Sequence, residues 1–84
     1  MLRYLVILTR KQEFQADMIE PHRAFLDGLR QQGKLEMNGP FTDQSGGAYI
    51  LHVDNFEAAK VIAFADPLHL TGSSIVVVHE WNAK

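Results

Sequence analysis

The stretch DMIEPHRAFLDGLRQQG, Asp17–Gly33, decides how the rest of the chain is read. Met18, His22, Phe25, Leu26 and Leu29 recur at the i, i+3, i+4 and i+7 spacing of one helix face, while Glu20, Arg23, Asp27, Arg30 and Gln31 point elsewhere. The helix is expected to start between Asp17 and Pro21, with Asp17 and Glu20 arranged as a capping box and Pro21 near the first turn, and to stop at Gly33 as a C′ residue. His22 stands on the inward stripe where a hydrocarbon is expected. It is either a hydrogen-bonded core histidine or a group that serves as acid, base or ligand once a second polar group meets it.

Leu2–Thr9, ahead of this helix, is rich in β-branched and aromatic residues and reads as a strand that is apolar on both faces, with Leu2, Tyr4, Val6 and Leu8 on one and Leu5 and Ile7 on the other. Behind it, Lys34–Asn38 reads as a short second strand closed by Gly39-Pro40-Phe41. The turn cluster Asp43–Gly47 then leads into a third strand at Ala48–Val53. Asp54 and Glu57 repeat the capping-box pattern, and Phe56, Ala59, Ile62 and Ala63 form the inner stripe of a second helix that Asp66-Pro67 breaks. After a connector at Leu68–Gly72, Ser74–Trp81 is the fourth strand.

The order β-α-β-β-α-β over 84 residues makes one domain of the α+β class. It predicts a ferredoxin-like, four-stranded antiparallel sheet of order 4-1-3-2 with both helices on one face. Such a small chain buries only about 60–65% of its unfolded surface, so its core is marginal if it stays alone. Strands one and four, the latter with Ile75 and Val77 on one side and Val76 and Val78 on the other, are apolar on both sides, which leaves a hydrophobic sheet face without a lid. A homodimer through that face is expected, open to further assembly.

In this topology the start of helix one lies beside the end of helix two. His22 and Asp66 are therefore expected to meet, and a carboxylate beside an imidazole fixes its tautomer and suits it to proton transfer. The plain readings are a helix-stop Asp-Pro with a solvated carboxylate and a structural histidine. Strand one leaves the sheet at the same end through Thr9 and Arg10, strand two leaves at Gly39-Pro40, and strand four enters at Ser73-Ser74. Arg10 is a candidate for holding an anionic substrate or else a solvated loop charge. Gly39 and Pro40 shape a pocket wall or are simple turn residues, and Ser74 is a further candidate for substrate contact.

The formal charge is −2 with the basic residues scattered, so the footprint of a nucleic-acid binder is missing. With no cysteine there is no disulfide or thiolate chemistry, and the first apolar segment, Leu2–Leu8, is too short for a membrane span and lacks the flanks of a signal peptide. A cytoplasmic protein without nucleic-acid or membrane partners is expected. His52, His69 and His79 lack ligand spacing, so neither a metal nor a cofactor is expected, and Ser45-Gly46-Gly47 precedes a strand rather than the helix that a phosphate loop requires.

Tyr4–Leu8 followed by Thr9-Arg10, the run Pro21–Leu26, Gly33-Lys34-Leu35, Gly39-Pro40-Phe41, Gly46-Gly47, and Ala65-Asp66-Pro67 with Gly72 together resemble the YciI-like (YCII-related) family of the dimeric α/β-barrel superfamily. The resemblance spans nearly the whole chain and rests on the order and spacing of motifs that are individually unspecific. It implies a ferredoxin-like protomer, a dimer with facing sheets, and a site centred on a His–Asp pair at His22 and Asp66. Two functional classes stay open. One is a small enzyme moving a proton on a small organic substrate by lyase, isomerase or dehydrohalogenase chemistry. The other is a non-catalytic dimeric module for a small molecule or a protein partner.

Overall fold

Strands β1 (Arg3–Arg10), β2 (Leu35–Pro40), β3 (Gly46–Leu51) and β4 (Ser74–Trp81) form one sheet of order β2-β3-β1-β4, every neighbouring pair antiparallel. The computed structural model describes residues 2–84. The order is the expected 4-1-3-2 read from the other edge.

Alternation along the strands sorts side chains between two faces. With Val6 opposite Tyr49 on one side and Val78 on the other, Tyr4, Val6, Leu8, Tyr49, Leu51 and Val76 share the inner face. They pack against Leu26 and Leu29 of α1 (Ile19–Gln31), Ala59 and Ala63 of α2 (Phe56–Ala63), and Leu68 of α3 (Pro67–Leu70), in one buried cluster. Val6, Leu51, Ala59 and Ala63 are completely enclosed. The same register puts Leu5, Ile7, Ala48, Ile50, Met37, Ile75 and Val77 on the opposite face, where Met37 is 57% exposed, Ile75 54% and Val77 43%.

Local structure departs from the sequence expectations where short-range chemistry decides. Asp17 and Glu20 form no capping box, because Asp17 sits inside a 3-10 turn at Ala16–Met18 and Met18 occupies the N-cap of α1 without a side-chain bond. Pro21 is then the third helical residue, where its missing N–H is one of the unpaired donors of the first turn. At the other end Gly33, at φ +73°, gives its N–H to Arg30 O while Lys34 N–H reaches Leu29 O, the paired bonds of a Schellman stop.

Gly39 and Pro40 do not close the second strand but belong to it, since β2 is a sheet edge where proline's lack of a donor is tolerated. The turn is Phe41–Ser45. Gly46 and Gly47 are strand residues that begin β3 two positions before the expected Ala48, and β3 ends at Leu51 rather than Val53. A Cβ on Gly46 would lie 1.8 Å from Leu8 O, and one on Gly47 2.7 Å from Gly39 O, so glycine is required by the close approach of three strands. Asn55, rather than Asp54, caps α2 by accepting from Ala58 N–H at 2.8 Å. Asp66-Pro67 interrupts the helical run as expected, and the segment after it is the short helix α3 rather than a connector.

Candidate functional site

His22 enters from the first turns of α1, and Asp66 from the N-cap of α3, just after α2 has ended. The two meet: His22 Nδ1 lies 2.9 Å from each oxygen of the Asp66 carboxylate. Asp66 is wholly buried, whereas the His22 side chain keeps 17% of its surface exposed. Two more donors converge on the acid, Leu68 N–H on Oδ1 at 2.9 Å and the Tyr49 hydroxyl on Oδ2 at 3.3 Å. A carboxylate only accepts, so the proton in the His–Asp contact belongs to Nδ1. Nε2 makes no hydrogen bond among the described residues.

The pairing follows from the sequence locally. Asp66 is extended, at φ −61° and ψ 132°, because Pro67 disfavours a helical residue before it, and that geometry lets its side chain fold back onto Leu68 N–H as an N-cap. The cap orients the carboxylate and leaves its remaining lone pairs for His22 and Tyr49. Burial, followed by the neighbouring Asp66 charge, pushes the Tyr49 hydroxyl far above its ordinary value of 10.0, so it stays a donor to Asp66.

His22 borders a cleft of about 260 Å³, near the lower end of small-molecule sites. Leu8, Phe14, Ile19, Leu26 and Leu68 give it apolar walls. Arg10, Gly39, Pro40 and Ser74 all line it too, so the structure gathers at one cleft the four candidates for substrate contact, while Thr9 and Ser73 of the same sheet end do not line it. Asp66 does not line it and stands behind His22. The Arg10 guanidinium lies 4.2 Å from the centroid of the Phe14 ring, a cation–π contact that holds it at the rim.

Sequence reading overlooked Tyr49, Asn38 and Phe14. Tyr49 was available from its even spacing with Leu51 on the inner face of β3, and a buried phenol needs a partner. Asn38 accepts from Arg30 Nη2 and borders the cleft, but no local pattern marked either residue. Among the described residues no three His, Asp or Glu side chains are grouped to hold a metal, and no helix is long and apolar enough to cross a membrane.

The family model for the YCII-related domain matches residues 2–82. An uncharacterized protein, YjpA, of Bacillus subtilis (strain 168) is 40% identical over 84 residues, covering 100% of this chain and 99% of that one. Among solved structures, the 5-chloro-2-hydroxyhydroquinone dehydrochlorinase TftG of Burkholderia phenoliruptrix AC1100, in complex with 2,5-dihydroxybenzoquinone, superposes with a TM-score of 0.81 at 21% identity, over 100% of this chain and 96% of that one. An antibiotic biosynthesis monooxygenase follows at a TM-score of 0.66 and 17% identity, covering 100% and 99%. At these identities the structural likenesses establish the ferredoxin-like fold.

Proposed function

This chain belongs to the YCII-related domain family, and we propose that it is a small enzyme in which His22, oriented by Asp66, transfers a proton on a small organic substrate. The observation that carries this reading is the division of labour on one imidazole: Nδ1 is held by a buried carboxylate while the ring borders the cleft with Nε2 unpaired. An imidazole so arranged is a base at Nε2 whose protonated form the carboxylate stabilises. Asp66 is a positioning residue.

In the step proposed, Nε2 takes a proton from an O–H or C–H of the substrate. The electron pair left behind forms a double bond and expels a leaving group such as halide, or the proton is returned at a second carbon to give an isomer. The hydroxyquinone held by the structurally similar dehydrochlorinase makes halogenated, hydroxylated rings the first compounds to try. Screening such rings and unsaturated lactones for halide release or rearrangement tests the proposal. His22→Gln is expected to lose about 10²–10⁴-fold of any turnover while staying folded. Turnover equal to wild type in that variant refutes the role.

The working unit in this reading is a homodimer joined through the open sheet face. Its support is the row of exposed Met37, Ile75 and Val77 beside Leu5 and Ile7, with Trp81 43% exposed near the strand end. The alternative is a non-catalytic dimeric module for a small molecule or protein partner. It draws on the fact that Asp66 also caps α3, so the pair could serve as a structural tie.

A further inference from the structure

The geometry points to an oxyanion subsite made by Arg10 and Ser74 where both line the cleft, so that the molecule taken there is a small organic anion, carrying a carboxylate or a phenolate. This rests on the reading of the cleft as the ligand site and adds the chemical class of what enters it. Arg10 and Ser74 are direct register partners, one ending β1 and the other beginning β4, and both stand on the inner face beneath His22. Cross-strand partners of this kind bring their Cβ atoms within about 5.5 Å, so the two polar groups can reach one ligand atom.

Each of the two is anomalous where it stands. Arg3, Arg23 and Arg30 all pair with carboxylates, at 2.7 to 3.0 Å, whereas Arg10 has no acidic partner among the described residues. Its guanidinium is instead spread on the Phe14 ring, which fixes its place without neutralising it. Ser74 is 4% exposed and its hydroxyl is buried without a hydrogen-bond partner. Buried hydroxyls are nearly always satisfied, so an orphan beside an uncompensated cation, on the wall of a cleft, marks a missing acceptor. A turn about χ1 redirects that hydroxyl from the wall to a ligand oxygen. Apolar walls at Leu8 and Leu26 suit the hydrocarbon part of the ligand, and His22 the bond that reacts.

The test uses benzoate as the probe and benzamide as its neutral counterpart, titrated into the folded protein and followed by amide shifts of Gly39 and Gly46. Benzoate should bind at least about tenfold more tightly than benzamide, and Arg10→Gln and Ser74→Ala should each weaken benzoate by about five- to tenfold or more. Lys11→Gln, which removes the charge next along the chain from Arg10, should leave it unchanged. Ser74→Ala has a second signature: with its orphan hydroxyl gone it should melt at or above the wild-type temperature while binding worse, so poor folding cannot mimic the result. Equal affinity for benzamide, or wild-type benzoate affinity in both Arg10→Gln and Ser74→Ala, overturns the subsite even where His22-dependent turnover is found. Benzoate binding that needs both residues upholds it, even should His22→Gln retain turnover and so overturn the enzyme reading.

Discussion

Replacing Asp66 separates orientation of the histidine from support of the fold. Asp66→Ala removes the acceptor for three donors at once, His22 Nδ1, Leu68 N–H and the Tyr49 hydroxyl, at a position that is itself wholly buried. At about 1–3 kcal/mol for each stranded buried group, the loss should reach about 4–6 kcal/mol even after some donors relax toward water. A domain of this length holds only about 4–12 kcal/mol in all, so this variant should lose a third of its stability or more and unfold altogether if the total lies at the low end of that range. Asp66→Asn is different. Its carbonyl can still accept from Leu68 N–H, and its amide can donate to an imidazole of the opposite tautomer and to the Tyr49 oxygen. The desolvated charge is removed as well, so the net loss should be about 1–2 kcal/mol, a fall of roughly 5–15 °C in the melting temperature. Thermal denaturation followed by circular dichroism, at fixed protein concentration, measures both. If Asn destabilises as much as Ala, the carboxylate is an irreplaceable structural tie, and the division of roles argued for the pair is wrong.

Val77→Asp, on the open sheet face, should give a folded monomer by light scattering, whereas Val6→Asp, fully enclosed on the inner face, should not fold; an unchanged dimer mass in Val77→Asp, or a monomeric wild type at micromolar concentration, removes the proposed interface. Both tyrosines titrate above their ordinary value of 10.0, Tyr4 chiefly through burial and then Glu80, and Tyr49 chiefly through burial and then Asp66. A group whose value is raised by folding contributes stability that is complete below the unfolded value and is lost as pH rises through the folded one. Stability should therefore hold up to about pH 10 and then fall, with tyrosinate absorbance appearing only together with unfolding; tyrosinate formed in the folded protein at its ordinary pH contradicts the burial of Tyr49. Gly46→Ala should cost at least about 1–3 kcal/mol in chemical denaturation, because its methyl would collide with the Leu8 carbonyl, and a neutral effect would show that the strands can part at this rim.

The fold was legible because two independent periodicities agree. Helical spacing from Met18 to Leu29 and in Phe56–Ala63, between runs of β-branched residues, leaves little choice of topology, and that topology alone brings His22 to Asp66. What the sequence hid depends on single hydrogen bonds and on steric fit. The capping role passes from Asp54 to its neighbour Asn55 by the direction of one side chain. Pro40 looks like a turn until β2 is known to be an edge strand, and Gly46-Gly47 looks like a turn until the Leu8 and Gly39 carbonyls are seen to press on it. The sequence marks Asp66 as a helix stop and a partner of His22. That it also starts α3 and accepts from Tyr49 required three elements to be placed together.

The central claim is that Asp66 holds a proton on Nδ1 of His22 and so leaves Nε2 as a base facing the cleft. The nitrogen chemical shifts of the His22 ring, recorded by two-dimensional NMR on labelled protein across a pH series and read at its neutral limit, report which nitrogen carries the proton. Wild type should show a protonated Nδ1 and a bare Nε2, and Asp66→Asn should reverse them. A wild-type ring protonated at Nε2 would leave no base in the cleft and contradict the account.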